Sequence, residues 1–427
     1  MVEREYSVNN TKLYAFTNEN LNSFCISFCV RAGSIFENKE NNGISHLLEH
    51  TIFRNIKKKY PDEFYDLLSL NGLVFGACTY RELIRFYVSG PSFGFDFACE
   101  VICSVFDELS VSNKEYVLEK KRIKAECREK NNIHSIGNFF MRNIWADTNN
   151  EKTVLGFCKN IDKITLSQLE DYRRKMFCGE NVFFYVTGCV SESDIENLIS
   201  KISEQDIPKN GEKMKNEIIL SKNIYNRDFN VKIRDSSYYL ALFGFDVDTK
   251  KHSGAVCDIL YDVLFLGDNA LIYKYISEDN PIAYSYDSTF EQYDNVSNVH
   301  FDFEFLRNKE IESINCVIDA LNDLKCGRFN FEANLRYEIS KWITILDDAE
   351  ELAWSLAYYN HILDTEPVDY TADKLSRYSD VTKEHVMKAA KEIFTTKNLT
   401  LVLEGKKSKL KLEKITEALR RLDENIC

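Results

Sequence analysis

One long-range repetition constrains the architecture of this chain more than any other feature. Ile164-Thr165 opens a helical pattern that closes at Met176-Phe177; Asn181 then opens the strand pattern Val182 to Val186, ended by Gly188. Val381-Thr382 opens a second helical pattern closing at Ile393-Phe394; Asn398 opens Leu399 to Leu403, ended by Gly405. From each Thr the Phe lies 12 residues on, the Asn 16 and the Gly 23. Four landmarks in register argue for a duplicated unit rather than two unrelated helix–strand pairs. Helix entry by Thr and a short helix-to-strand loop suit a layered α+β unit. The fold expected is therefore α+β: two duplicated homologous domains, each a mostly antiparallel sheet covered by helices. The polar, breaker-rich Pro208-Lys209-Asn210-Gly211-Glu212-Lys213 sits between the copies. It sets the expected boundaries: a domain over 1–205, a linker over 206–222 and a second domain over 223–427. Within the first domain, Tyr6 to Phe16 and Phe24 to Val30 read as the two strands of a hairpin.

The first half carries a chemical motif. His46, Glu49 and His50 form H-x-x-E-H within Asn42-Gly43-Ile44-Ser45-His46-Leu47-Leu48-Glu49-His50. No breaker follows Gly43 for a dozen residues, so a helix starting near Ser45 is expected, with Ser45 as N-cap. On a helix, positions i, i+3 and i+4 share a face. Two imidazoles one turn apart suit a divalent zinc, and a carboxylate beside a zinc-bound water is placed to take its proton. If the duplication extends back, the second copy of this helix falls near 254–261. There Cys257 and Tyr261 stand for the two His and Leu260 for the Glu. The chemistry then belongs to the first half, and the second shapes a substrate chamber.

Composition narrows the function classes. The net charge of −13 disfavours nucleic acid and anionic membranes. No apolar run is long enough to cross a bilayer, and the charged Met1-Val2-Glu3-Arg4-Glu5 does not begin a secretory signal. The thirteen Cys lack paired C-x-x-C spacing, and several lie inside apolar runs. They read as small buried hydrophobes of a reducing compartment, not as a disulfide frame. A cytoplasmic location is expected.

A catalytic zinc usually takes a third protein ligand. The charged helix expected over 113–130 offers Glu115, Glu119, Glu126 and Glu129. Glu119 and Glu126 share a face two turns apart, but periodicity does not choose among the four. The chain resembles the pitrilysin family of zinc metallopeptidases, which includes insulin-degrading enzyme and the mitochondrial processing peptidases. The resemblance rests on Gly33-Ser34, Gly43, His46 to His50, Phe53, Glu119 and Glu126, Leu155-Gly156, Ile164-Thr165, Asn181 and Gly188. It implies His46, His50 and Glu126 as ligands of one Zn2+, Glu49 as general base and Glu119 as the residue orienting a ligand. It also implies an edge strand that pairs with extended peptide, here Gly76-Ala77-Cys78-Thr79, with Gly76 where the family usually has Asn.

The family further implies an Arg and a Tyr, seven apart, that hold substrate carbonyls. In this chain the Tyr is Tyr284, and the Arg position is Ser277. The resemblance thus implies a zinc endopeptidase cleaving short unstructured peptides in a two-chain chamber, including processing of a ribosomally made precursor peptide. A paralogous zinc-less subunit would supply the Arg and Tyr in a heterodimer, with a homodimer as second choice. The alternative is a non-catalytic or weakly active scaffold subunit, for which the intact His46, Glu49, His50 and Glu126 have no physical use.

Overall fold

The computed structural model describes residues 3–60, 63–133, 135–209, 211–220, 230–363 and 376–424. The chain divides into two compact units. One comprises Met1–Ile133, Lys152–Asn216 and Trp342–Asp373; the other comprises His134–Glu151, Glu217–Lys341 and Lys374–Cys427. Each unit therefore takes a segment from the opposite half of the sequence. Of the stretch between the repeats, 211–220 holds neither helix nor strand, and 210 and 221–229 lie outside the described residues.

The first unit is built on a six-stranded sheet. Its strands are β1 (Arg4–Val8), β2 (Thr11–Thr17), β3 (Ser23–Val30), β4 (Val74–Thr79), β5 (Ile84–Pro91) and β6 (Val182–Gly188), in the spatial order β1-β2-β6-β3-β5-β4. Only β2 and β6 run parallel; every other pair is antiparallel. The expected hairpin over residues 5–33 is not what forms. Asn9 and Asn10 take positive φ (46° and 67°), the conformation of a tight two-residue turn, and split the first segment into the hairpin β1–β2. β6 then lies between β2 and β3, which do not pair with each other.

β3 and β6 are buried along nearly their whole length because both faces of the sheet are covered. Phe24, Ile26, Phe28 and Val30 of β3 meet Val182, Phe184 and Val186 of β6 in a core packed under the helices of the first half. The alternate residues Cys29, Phe183 and Tyr185 pack against Leu352 and Leu356 of the helix Ala349–Leu356. Thr187 Oγ1 donates to Ala349 O at 2.5 Å, fixing that helix at its first residue.

The second unit repeats the plan. β7 (Asn230–Asp235), β8 (Leu240–Val247), β9 (Asp287–Gln292), β10 (Ser297–Glu304) and β11 (Leu399–Gly405) are ordered β7-β11-β8-β10-β9. β7 and β11 form the parallel pair, as β2 and β6 do. Here the covering helix from the opposite half is Ser135–Ile144. Its Phe140 ring lies on β8 at Gly244, where an added Cβ would sit 2.2 Å from Cζ.

The repeat landmarks do the same work in both units. Thr165 and Thr382 each close a capping box, with Gln168 and His385. Asn181 Nδ2 donates to Met176 O (2.8 Å) and Arg31 O (2.9 Å); Asn398 Nδ2 donates to Ile393 O (2.9 Å) and Asp246 O (2.7 Å). Each Asn thus ties the end of its helix to the chain at the end of the adjacent strand. Eleven described cysteines are free, eight of them buried, and Cys326 is disulfide-bonded. Among the described residues no helix is long and apolar enough to cross a membrane.

Candidate metal centre

The motif helix runs Ile44–Lys59, and its start is set by a residue the sequence reading missed. Gly43 is the N-cap, at φ 102°, and Ser45 is the second helical residue rather than the cap. The helix N-terminus is satisfied by Glu37, whose Oε2 accepts from Gly43 N (2.8 Å) and Asn42 Nδ2 (2.8 Å), and whose Oε1 accepts from Ser45 N (2.9 Å). A carboxylate at a helix N-terminus also meets the positive end of the dipole. Burial pushes the Glu37 pKa up, against the pull of those donors. Ser45 Oγ instead pairs with Tyr172 Oη at 2.8 Å. Gly43 is confined from the other side by Gly156, whose Cα would lie 3.0 Å from a Cβ at residue 43. The landmark Leu155-Gly156 thus packs directly against the start of the motif helix.

The helix Asn113–Ile133 buries Tyr116, Glu119, Ile123 and Cys127, a spacing of three, four and four residues. That face carries Glu119 inward and leaves Glu126 half-buried at its margin. Glu129 is exposed, and Glu115 accepts from Ser112 at the helix start. Of the four candidate carboxylates, two reach the imidazoles. Glu126 Oε2 lies 3.5 Å from His46 Nε2 and 3.6 Å from His50 Nε2. Glu119 Oε2 lies 3.7 Å from the other ring nitrogen of His50, Nδ1.

Among the described residues, His46, His50 and Glu126 form the group able to hold a metal, with one donor atom from each within 4.8 Å of the others. A tetrahedral zinc with ligand bonds near 2.0–2.1 Å needs donor atoms about 3.3–3.5 Å apart. The two carboxylate–imidazole distances fall close to that, and the nitrogen–carboxylate donor set is one zinc accepts. The residues present therefore fit the ion.

The surrounding charges are arranged in series. Glu119 is 2% exposed; Arg54 Nε donates to its Oε1 at 2.7 Å and Arg122 Nη1 at 3.1 Å. Burial opposes its ionisation, but His50, Arg54 and Arg122 outweigh it and hold the carboxyl below its usual range. His50 is held above the usual imidazole range, its own burial being outweighed by Glu119, Glu49 and Glu126. Arg54 lies one turn beyond His50 and Arg122 three residues beyond Glu119, so both were legible as face neighbours. A cleft of about 300 Å³ opens beside Glu49 and His50, walled by Phe53, Arg54, Tyr65 and Arg122.

Glu49 accepts a hydrogen bond from Thr79 Oγ1 at 2.7 Å. Thr79 ends β4, one of the two edge strands of the sheet, so the segment Gly76-Ala77-Cys78-Thr79 lies on an edge directly beside the motif helix. Tyr80 N donates to Leu83 O at 2.7 Å, so Tyr80 turns its main chain toward β5. By the alternation of an antiparallel pair, Thr79, Ala77 and Phe75 turn their main-chain groups outward. The ring of Tyr87 lies over Gly76, where an added Cβ would sit 2.4 Å from it. Tyr284 is in the second unit, on the segment before β9, and is 92% exposed; Ser277 is half-buried in the helical turn Lys274–Glu278.

Residues 15–156 match the family described as insulinase (peptidase family M16), and residues 163–332 match the peptidase M16 inactive domain. The human mitochondrial-processing peptidase subunit beta is 26% identical over 180 residues, 42% of this chain and 37% of that protein. Zinc protease PqqE of Helicobacter pylori is 23% identical over 174 residues, 40% of this chain and 39% of that one. These matches span well under half the length of the relatives. A Helicobacter pylori protease structure superposes with a TM-score of 0.80 at 19% identity, over 95% of this chain and 99% of that one. The Escherichia coli periplasmic protease PqqL superposes at 0.79 and 13% identity, over all of this chain and 50% of that one. The two matched models follow one another along the chain, the second beginning just before the first repeat landmark, and the chain belongs to peptidase family M16.

Proposed function

We propose that this chain is a zinc-dependent endopeptidase acting on short, extended peptides. The observation that carries the reading is the meeting of His46, His50 and Glu126, from two separate helices, with Glu49 on the cleft beside an open strand edge. His46 and His50 through Nε2 and Glu126 through Oε2 would hold Zn2+. When bound, the ion supplies Lewis acidity and lowers the pKa of a water molecule. Glu49 would take that water's proton and later deliver it to the departing amine. Glu119, held by Arg54 and Arg122, fixes the orientation of the His50 ring through Nδ1. The outward main-chain groups of Ala77 and Thr79 would pair with the peptide as an added strand, which suits unfolded segments of varied sequence.

The Arg and Tyr that hold substrate carbonyls are the incomplete part. Ser277 at the Arg position favours a second chain supplying that cation in trans, in a heterodimer with a paralogous zinc-less subunit, or failing that a homodimer. In support, a relative is by name a subunit of a processing peptidase, and the chain superposes on half of PqqL. Processing of a ribosomally made precursor peptide in the cytoplasm is one form of this activity. A non-catalytic scaffold is the second reading, favoured by the same Ser277. Glu49→Gln separates the two. A peptidase keeps zinc and loses cleavage of unstructured peptides, whereas a scaffold behaves identically with either residue.

A further inference from the structure

The motif helix is braced to the edge strand at two points. Phe53 stacks on Phe75, ring centroids 4.9 Å apart at 16°. Glu49, one turn before Phe53, accepts from Thr79, four residues after Phe75 on the same strand face. The second brace lies at the place where the strand edge and the acid–base group meet. Thr79 alone on that edge offers both parts: its main-chain N–H and C=O turn outward, and its hydroxyl donates to Glu49 Oε2.

We propose that Thr79 is a positioning residue that couples the main chain of a bound peptide to the general base. The inference rests on the endopeptidase reading above. A glutamate side chain has three rotatable bonds, and its terminal torsion is broad. A hydroxyl donating to one carboxylate oxygen fixes the plane of the group, and with it the direction from which a proton is taken. Because the donor belongs to the residue whose own backbone would pair with substrate, peptide register and base orientation are set by one residue. A peptide seated two residues out of register would pair with the outward groups of Ala77 in place of those of Thr79, and would present its scissile carbonyl away from the fixed carboxylate. The coupling reads main chain and not side chains, so it imposes geometry without imposing sequence.

The test compares Thr79→Val, which keeps shape and removes the hydroxyl, with Thr79→Ser, which keeps the hydroxyl. Both are made in the full chain, with any required partner present, and assayed on an internally quenched unstructured peptide. Thr79→Val is expected to lower kcat by about 10- to 100-fold with KM changed less than about threefold. Thr79→Ser is expected to recover most of the loss. Zinc content of both is expected to match the wild type. In the Glu49→Gln background, Thr79→Val is expected to leave the Kd of the uncleaved peptide within about threefold, because the strand edge is intact. A Thr79→Val enzyme with wild-type kcat, a loss carried by KM, or a loss that Ser does not recover overturns the coupling while leaving the peptidase reading in place. Wild-type and Glu49→Gln chains that are equally inactive overturn the reading and this inference with it.

Discussion

Arg54 Nε donates to Glu119 Oε1 at 2.7 Å, while Glu119 Oε2 faces His50 Nδ1 at 3.7 Å. Arg54 and His50 lie on the same helix, one turn apart, so one buried carboxylate faces both side chains of that helix. Such outer partners typically contribute 10- to 100-fold to metal affinity. Arg54→Ala and Glu119→Gln are each expected to weaken zinc binding by about 10- to 100-fold in chelator competition without unfolding the chain. Unchanged affinity in both would remove Glu119 from the metal centre.

The back-to-back glycines set where the motif helix begins. Gly43 sits at φ 102°, and a Cβ there would lie 2.6 Å from Ile161 Cδ1. Gly43→Ala therefore meets backbone strain and a clash together, and a loss of about 1–3 kcal/mol in urea unfolding is expected, with weaker zinc retention. A fully stable variant with normal zinc content would contradict this account of the helix start.

Asn181 and Asn398 should behave as a matched pair. Each is buried, and each satisfies two main-chain carbonyls with its Nδ2. Asn181→Ala and Asn398→Ala are each expected to cost about 1–3 kcal/mol by denaturant titration, from carbonyls left unpaired. A large effect at one and none at the other would show that the duplication is only one of pattern.

The second half's helix Gly254–Phe265 carries buried acids, Asp258 and Asp262, each one residue beyond the positions that correspond to His46 and His50. Arg377 Nη2 donates to Asp258 Oδ2 at 2.5 Å, and Lys341 Nζ lies 3.3 Å from Asp262 Oδ1. Tyr378 Oη donates to Glu338 Oε1 at 2.6 Å. Three carboxyls face two cations, and burial first, then Glu338, pushes Asp262 up to about 9. An acid whose folded pKa is raised contributes stability that is fully present below its unfolded value, about 3.9, and is lost as pH rises through the folded value. The wild-type chain is therefore expected to lose stability as pH rises from about 4 to 9, and Asp262→Asn, neutral throughout, to lose less. Equal slopes in urea unfolding across that range would refute the protonated Asp262.

Much of this was legible in sequence because local chemistry dictated it. Thr165 and Thr382 read as helix starts and are capping boxes; Glu119 and Glu126 read as one face and lie together. What escaped was set by distant partners. Ser45 had the right chemistry for an N-cap, but Glu37, eight residues upstream, reached the free N–H groups first. The hairpin expected from Tyr6 to Val30 failed because β6, more than 150 residues later, inserts between its strands. Nor does an apolar helix such as Ser135–Ile144 carry any local sign of which sheet it covers. The edge role of Gly76 to Thr79 came from resemblance, but the Thr79 hydroxyl on Glu49 needed the packing of strand against helix to be seen.

The central claim is that His46, His50 and Glu126, from two helices, hold one divalent ion. Metal analysis of the purified chain beside its Glu126→Ala variant tests it most directly. The account predicts about one zinc per wild-type chain and a large loss in the folded variant. A Glu126→Ala chain that retains zinc at the wild-type level would contradict it.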